Sequence, residues 1–305
     1  MGYLLKPLLA RNLKHDLKEL AVGRKIMISR ALIPVAGKGT RLLPLTSVVP
    51  KALLALVDGA GRIKSVLHVI CEQAIQAGVS QIGVVVSPWQ EDMIRRYFAA
   101  VESDFGRLPA SIEYITQASP MGFGDAVLQG RSFVGDEPFM LLLGDHIQLP
   151  ADGSPPCSAQ VARAFEAVDA VAMVGMQQVP GDQLANVGVA KGVPVRRDVY
   201  RCTYIVEKPD LTTARDKLLT EGLRENTFLA HCGIYIFTPE IFDCIARVNE
   251  AASKQGGEVE LTDAQVLLLD KHPQQYYLYK IAGRAYDLGT PGGYADAQNV
   301  FRRQS

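Results

Sequence analysis

Short apolar runs alternate with amphipathic segments along the first two thirds of the chain. Five runs rich in aliphatic and aromatic residues predict β-strands, at residues 31–35, 81–87, 111–116, 139–145 and 170–179. Four segments with helical spacing lie among them, at residues 64–77, 91–100, 124–134 and 159–168. Strands that alternate with helices form βαβ units, so the pattern predicts an α/β fold with a mostly parallel sheet flanked by helices.

The alternation is less regular after about residue 185, although four further segments keep a clear pattern. Residues 201–209 and 231–237 are predicted strands, with a charged helical segment between them. Residues 260–270 and 291–302 have helical spacing and flank the aromatic stretch QYYLYKIAGRAYDLG. We therefore predict one α/β domain with a smaller lobe that grows from its C-terminal half.

Residues 1–29 are predicted to form an amphipathic extension before the first strand. Leucines recur there at close to helical spacing, but lysines and arginines interrupt the run well before it reaches the length of a membrane span. No small-residue cleavage site follows, so we do not predict a signal peptide. We favour a helix packed on the body or on another subunit over a membrane-surface anchor, because its charges are mixed in sign.

The balance of charges and the cysteine pattern indicate which partners the protein can attract and in which compartment it works. The chain has 305 residues with 32 basic and 32 acidic side chains, so no overall field attracts nucleic acid or an anionic membrane. Any anion must therefore be bound by a local cluster of cations. The five cysteines are scattered without a C-x-x-C pair, which argues against a zinc site and predicts free, mostly buried thiols in a reducing cytoplasm.

Ligands of open α/β sheets bind outside the carboxyl ends of the strands, which directs attention to the residues after each predicted strand. The first strand is followed by AGKGTR, whose glycines allow backbone N–H groups to approach an anion closely. The spacing matches neither a Walker A loop nor a complete dinucleotide fingerprint. With Arg41 and Lys51 nearby, the segment indicates a phosphate site, and the alternative is an ordinary tight turn.

Two aspartates at strand ends are candidate metal ligands. Asp145 ends the apolar run LLLGD, where a carboxylate is costly to bury unless it is paired or bound to a metal. Asp287 precedes Thr290 and Pro291, which suit the N-cap and first position of a helix. The alternative for Asp145 is a solvated carboxylate at the end of a strand. The alternative for Asp287 is a carboxylate that only supports the turn. His146 is interpreted as a packing or surface residue.

Two other strand ends carry candidate substrate contacts. Glu207 and Lys208 are either a surface ion pair or a site for substrate hydroxyls and a phosphate. Gln117 and Gly122 belong either to a flexible glycine loop or to a site that contacts a nucleobase. Together these candidates predict a nucleotide, a metal and a phosphorylated, hydroxyl-rich second substrate, a combination typical of phosphoryl-type transfer.

An ordered series of motifs extends over roughly residues 30–302. It consists of GKGTRLLPLTSVVPKALLALVDG, MGFGDAVLQG, LLLGDHI, VEKPD, GIYIFTPEIFD, EVELTDA and YDLGTPGGY. In this order the motifs resemble those of the sugar-1-phosphate nucleotidylyltransferases, and most of all the bacterial uridylyltransferases that act on glucose 1-phosphate. The resemblance implies a Rossmann-like nucleotidyltransferase fold, UTP and glucose 1-phosphate as substrates, Mg²⁺ as cofactor, and a homo-oligomer.

The resemblance also implies a role for each matching residue. The implied nucleotide-binding residues are Ala36, Gly37, Gly39, Thr40, Gln117 and Gly122. The implied catalytic residues are Arg41, Lys51, Asp145 and Lys208, with Asp145 and Asp287 as metal ligands. Glu207 is implied to bind the sugar hydroxyls and Lys208 the sugar phosphate, and the Gly188 backbone is implied to face the sugar. The single domain of residues 30–305 then divides into a nucleotide-binding half of about 30–180, a sugar-binding half of about 181–290 and a C-terminal helix at 291–302.

Three departures from the family pattern keep other substrates open. Lys38 stands where uridylyltransferases usually have an apolar residue, and Asp125 stands where they often have histidine. YDLGTPGGY is more similar to the thymidylyltransferase and other NDP-sugar branches. A thymidylyl or guanylyl enzyme for another sugar is therefore the alternative function, and an inactive regulatory homologue is a remote one.

Overall fold

The computed structural model describes residues 27–303 apart from Gly256, so the predicted extension of residues 1–29 lies almost wholly outside the described residues. The described strands are β1 (Arg30–Pro34), β2 (Ala55–Val57), β3 (Ile63–Ser65), β4 (Gln81–Val86), β5 (Ser111–Thr116), β6 (Phe139–Leu142), β7 (His146–Pro150), β8 (Ala172–Pro180), β9 (Gly188–Arg196), β10 (Val199–Glu207), β11 (Thr227–Phe237), β12 (Tyr276–Lys280) and β13 (Gly283–Asp287). The described α-helices are α1 (Val66–Gln76), α2 (Pro88–Phe105), α3 (Phe123–Gln129), α4 (Arg131–Val134), α5 (Cys157–Glu166), α6 (Leu211–Lys217), α7 (Glu240–Gln255), α8 (Leu261–Lys271) and α9 (Pro291–Phe301).

Nine of these strands form one mixed sheet in the order β5-β4-β1-β6-β11-β8-β12-β10-β9. β1 pairs in parallel with β4 and β6, and β4 pairs in parallel with β5. β11 is antiparallel to both β6 and β8, and β10 is antiparallel to both β12 and β9. Of the nine strands in this sheet, β10 and β11 run against the other seven, so the predicted α/β fold with mostly parallel strands is confirmed.

Helices cover both faces of this sheet, as the apolar strands require. Successive residues of β1 point to opposite faces, so Ile33 packs with α1, α2 and α5 while Leu32 packs with α3, α7 and α8. Both side chains are fully buried. On the second face Phe139 stacks on Phe242 with ring centroids 5.1 Å apart. No helix among the described residues is long and apolar enough to cross a membrane.

A separate two-stranded sheet, made of β7 and β13, positions the predicted metal ligands. β13 pairs with β7 in antiparallel register, and this register places Asp287 directly opposite His146. The chain leaves β6 at Leu142, so Asp145 lies in the turn between β6 and β7 rather than in a strand. Two aspartates far apart in sequence therefore meet at one end of the fold.

The helix after β13 begins as the sequence predicts. The Thr290 side chain accepts a hydrogen bond from the Gly293 N–H at 3.1 Å, and Pro291 occupies the first turn. The predicted helix of residues 124–134 is instead two short helices, α3 and α4, that meet at Gly130. The predicted strand of residues 139–145 ends three residues early, at Leu142.

Candidate active site

The glycine segment after β1 forms one wall of the site. Gly39 adopts a left-handed conformation with φ of 64°, and its carbonyl accepts a hydrogen bond from the Thr46 hydroxyl at 2.8 Å. The Gly37 carbonyl accepts from the Gln90 side-chain amide at 3.3 Å. These contacts fix the turn from both ends, and the 3₁₀ helix Thr40–Leu42 that follows carries Arg41.

Asp145 is the best-connected acid of the site. Its Oδ2 lies 2.5 Å from Lys51 Nζ, and its Oδ1 lies 2.8 Å from His146 Nδ1. The Lys51 and Asp145 side chains are only 16% and 17% exposed, so this ion pair is shielded from solvent. A charge-assisted contact of this kind is stronger than a surface ion pair, because little water competes for either partner.

The charges around Asp145 control its protonation. Burial alone would raise the pKa of Asp145, but the Lys51 ammonium and His146 outweigh burial and hold the pKa well below its ordinary value. Burial alone would lower the pKa of His146, yet the Asp145 carboxylate raises it above its ordinary value. Asp145 is therefore ionised near neutral pH, as a metal ligand must be.

Asp287 joins this cluster from the other strand. Its Oδ2 lies 3.7 Å from Arg41 Nη1, and its Oδ1 accepts from the Gly289 N–H at 2.7 Å. Gly289 sits where the three groups converge. A Cβ on Gly289 would lie 2.8 Å from Arg41 Nη2, 2.8 Å from Asp287 Oδ1 and 3.0 Å from Asp145 Oδ2. Only glycine fits this position without displacing a charged group.

The cluster has the composition of a metal site. One ligand atom from each of Asp145, His146 and Asp287 lies within 4.8 Å of the others. Two carboxylates suit a hard divalent cation, whereas His146 Nδ1 is already engaged by Asp145. The residues present therefore fit a divalent metal held by Asp145 and Asp287.

The opposite wall carries Glu207 and Lys208 at the end of β10. Glu207 pairs with Gly188 across the β9–β10 ladder, and its Oε2 accepts from the Thr262 hydroxyl at 2.7 Å. Glu207 Oε1 lies 3.3 Å from Lys208 Nζ. Lys208 has a positive φ of 46°, a conformation that costs a non-glycine residue about 1–3 kcal/mol and that concentrates at functional sites.

Glu260, beside this pair at the N-terminus of α8, is a further acid of the wall. Burial raises the pKa of Glu260, Lys208 lowers it, and the neighbouring Glu207 carboxylate raises it, with a net increase over the ordinary value. Glu260 therefore shares this wall with the Glu207–Lys208 pair and responds to both of their charges.

The two walls enclose one cavity of about 360 Å³. The predicted site residues that line it are Gly37, Arg41, Lys51, Asp145, Gly188, Glu207 and Lys208. Asp287 joins them through its contacts with Arg41 and Gly289. The structure thus brings together the predicted phosphate-binding, metal-binding and sugar-binding side chains.

The other predicted site residues lie outside the described lining of the cavity. Ala36, Gly39 and Thr40 belong to the turn after β1, and Thr40 is exposed. Gln117 is buried, and its amide NH₂ donates to Asp125 Oδ2 at 2.7 Å and to the Gly122 carbonyl at 3.2 Å. Gly122 precedes Phe123, which does line the cavity, so this pair lies at the edge of the site.

Sequence reasoning missed several polar residues of the lining. They are Asn186, His231, Tyr235, Glu260, Thr262 and Gln265. His231 and Tyr235 belong to an apolar run interpreted only as a strand, and Thr262 and Gln265 to a segment interpreted only as a helix. A histidine within an otherwise apolar strand was the available indication. His146, interpreted as a packing or surface residue, contacts Asp145 directly.

Comparisons with known proteins agree with this geometry. The family model described as Nucleotidyl transferase matches residues 30–304. A UTP–glucose-1-phosphate uridylyltransferase of Pseudomonas aeruginosa is 30% identical over 289 residues, covering 90% of this chain and 95% of the relative. The enzyme of that name from Bacillus subtilis is 31% identical over 301 residues, covering 91% and 92%. A crystal structure of UDP-glucose pyrophosphorylase complexed with UDP-glucose has a TM-score of 0.74 at 26% identity, covering 90% of this chain and 98% of that one. The chain therefore belongs to the nucleotidyl transferase family.

Proposed function

We propose that the protein transfers the uridylyl group of UTP to glucose 1-phosphate, giving UDP-glucose and pyrophosphate. The observation that carries this proposal is a single cavity whose walls carry Lys51 and Asp145 as well as Glu207 and Lys208. The relatives named UTP–glucose-1-phosphate uridylyltransferase support the choice of both substrates.

The chemistry requires alignment and charge neutralisation rather than a covalent intermediate. A phosphate oxygen of glucose 1-phosphate attacks the α-phosphorus of UTP, a new P–O bond forms, and the bond to the bridging oxygen of pyrophosphate breaks. The attacking oxygen is already anionic, so no general base is needed. We assign Arg41 to the departing phosphates, Lys51 to the transferring centre and Lys208 to the sugar phosphate, because cations at developing charge lower the barrier.

Mg²⁺ is the proposed cofactor. Asp145 and Asp287 would hold it through carboxylate oxygens, the ligands this ion prefers. When bound, Mg²⁺ neutralises phosphate charge. The Lys51 and His146 contacts keep Asp145 ionised and oriented for this role.

The base is assigned to the loop at the edge of the cavity. The Gln117 NH₂ group already donates to Asp125 and Gly122, which leaves Gln117 Oε1 as its acceptor for the base. An acceptor suits the ring N–H that uracil, thymine and guanine carry and that cytosine and adenine lack. We propose that the turn residues Ala36, Gly37, Gly39 and Thr40 hold the nucleotide through backbone groups, with Gln117 and Gly122 at the base.

The sugar is assigned to the wall made by β9 and β10. Glu207 retains acceptor capacity beyond its bond from Thr262, and we propose that it receives hydrogen bonds from sugar hydroxyls. The Gly188 backbone faces the same substrate. This division makes residues of about 30–180 the nucleotide-binding half and residues of about 181–290 the sugar-binding half.

The remaining proposals concern compartment and assembly. All five cysteines are free and buried, as predicted from their scattered positions, and we propose a cytoplasmic protein on that basis. A homo-oligomer is proposed from the resemblance to the family.

The test is pyrophosphate release from a panel of nucleoside triphosphates paired with a panel of sugar 1-phosphates in the presence of Mg²⁺. We expect the highest kcat/KM for UTP with glucose 1-phosphate. Preference for dTTP would move the function to the thymidylyltransferase branch. Absence of turnover for every pair, with UDP-glucose still bound in calorimetry, would indicate an inactive regulatory homologue.

A further inference from the structure

Two side chains of the cavity lining each carry a buried polar atom without a hydrogen-bond partner. Among the described residues these two side chains are His231 and Gln265. The atoms are His231 Nε2 and Gln265 Oε1. Buried polar atoms are almost always paired, so two orphans around one cavity point to a group that binds there.

The contacts of the His231 ring determine whether its unpaired nitrogen donates or accepts a hydrogen bond. The residue is 6% exposed, and its ring packs edge-on against Tyr235 with centroids 5.6 Å apart. The Tyr235 hydroxyl lies 3.4 Å from His231 Nδ1. With the hydroxyl donating to Nδ1, we assign the hydrogen of the neutral ring to Nε2, which makes Nε2 an unpaired donor.

Gln265 supplies the complementary atom. It is 1% exposed, and its Nε2 donates to the Tyr276 hydroxyl at 3.1 Å. With the Tyr276 hydroxyl accepting from Nε2, we assign Oε1 as an unpaired acceptor. A donor and an acceptor together match a hydroxyl group, which accepts one hydrogen bond and donates another.

The surroundings of His231 place it on the sugar side of the cavity, and Gln265 lies one helical turn after Thr262, which donates to Glu207. A Cβ on Gly188 would lie 2.8 Å from His231 Nδ1 and 3.0 Å from Glu207 Oε2. His231 and Glu207 therefore approach the same glycine, and Glu207 is the proposed ligand of sugar hydroxyls. Burial lowers the pKa of His231 to about 4 although Glu207 opposes the change, so the ring is neutral at physiological pH.

We propose that His231 and Gln265 are specificity-determining residues that hydrogen-bond a sugar hydroxyl, with His231 Nε2 as donor and Gln265 Oε1 as acceptor. This inference rests on the proposed function, because it takes a sugar 1-phosphate as the occupant of the Glu207 wall. It adds residues that select among sugars by a hydroxyl rather than by the phosphate. A site whose polar atoms are paired only by the correct sugar discriminates against a sugar that leaves them unpaired.

The experiment compares glucose 1-phosphate with monodeoxy analogues that each lack one hydroxyl, using wild type, His231→Leu and Gln265→Met. For wild type we expect one analogue to lose about 3- to 10-fold in kcat/KM, the range of a neutral hydrogen bond. In each variant that penalty should fall to about 1- to 2-fold, while the penalties for the other analogues persist. His231→Gln, which keeps an amide donor, should restore part of the discrimination.

The matched control is Gln73→Met. Gln73 is also buried, its Nε2 also donates within the protein, and its Oε1 is also unpaired, but it does not line the cavity. We expect Gln73→Met to lower the melting temperature without changing any analogue penalty.

The possible results distinguish a failure of this inference from a failure of the proposed function. Turnover with the same penalties in wild type and in both cavity variants would overturn the hydroxyl contact, and would mean that ordered water satisfies these atoms. Equal changes in Gln73→Met would overturn it too, because the effect would then be structural. No turnover by wild type with any sugar 1-phosphate would overturn the proposed function and this inference together.

Discussion

Replacing Lys51 by methionine removes one half of the ion pair that holds Asp145, while keeping most of the volume of the side chain. The two side chains are 16% and 17% exposed and their charged atoms lie 2.5 Å apart. Breaking a buried pair by removing one partner costs about 3–5 kcal/mol, because the other charge stays buried. His146 remains beside Asp145 and some solvent reaches the pair, so we expect a loss of about 2–3 kcal/mol in the free energy of unfolding.

The loss should depend on pH in a defined direction. The folded protein lowers the pKa of Asp145, so the ionised carboxylate stabilises the fold above its unfolded pKa of about 4. This contribution disappears as pH falls through the lower, folded pKa. The stability gap between wild type and Lys51→Met should therefore be full at pH 7 and should narrow below about pH 4. Urea unfolding followed by circular dichroism at pH 7 and pH 3 measures the gap.

Activity separates the proposed role of Lys51 from its structural one. Removing a cation from the transferring phosphate should lower kcat by about 100- to 1000-fold under conditions where the variant is folded. Lys64→Met is the matched control, because Lys64 forms a 2.7 Å pair with Glu72 and is also shielded from solvent, but it does not line the cavity. It should lose stability and keep its activity.

Two results would refute this reasoning. One is a Lys51→Met protein whose stability gap is the same at pH 3 and pH 7, since the gap would then not come from the Asp145 charge. The other is an equal loss of kcat in Lys64→Met, since the activity loss would then reflect general destabilisation.

Three further substitutions test other parts of the site. Asp145→Asn should lower Mg²⁺-dependent turnover at least about 100-fold with an unchanged circular dichroism spectrum, and retained turnover would rule out its metal role. Gly289→Ala should raise the KM for UTP about 10-fold by displacing Arg41 or a carboxylate, whereas Gly292→Ala, with open space around it, should not. Lys208→Gly should remove the strain of a positive φ, so we expect the free energy of unfolding to rise by up to about 1 kcal/mol while kcat/KM falls. Asn226→Gly is the control, because Asn226 also has a positive φ, of 55°, and this variant should keep its activity.

The parallel half of the sheet was predictable because its strands are continuous apolar runs. The predicted strand of residues 111–116 has the observed bounds of β5, and the run of residues 31–35 differs from β1 by one residue. β9 was not predicted, because glycine and proline interrupt the run GVAKGVPVR and weaken its strand pattern. β7 was not predicted either, since it follows the long apolar run of β6 after a turn of only three residues.

Motif order was enough to propose most of the candidate site, but not its geometry. Arg41 and Lys51 come after the first predicted strand, and Glu207 and Lys208 lie at the end of the predicted strand of residues 201–209. All four line the cavity. The approach of Asp287 to Asp145 depends on the register of β13 against β7, which sequence spacing does not reveal. His231 was overlooked because its segment was interpreted only as an apolar strand, and its place in the cavity lining depends on the fold.

The pairing of β13 with β7 also determines when the site can form during synthesis. The glycine turn follows the first described strand, whereas Asp287 ends the last described strand and Gly289 comes after Leu288. Chains fold from the N-terminus as they leave the ribosome, so the nucleotide-binding wall can form while the second carboxylate is still to be added. A nascent or proteolytically shortened chain that ends before β13 retains most of the sheet yet lacks that carboxylate and the edge partner of β7. A chain shortened in this way also loses α9, whose Ala297 and Phe301 are buried in the core, so we expect it to lose both catalysis and stability.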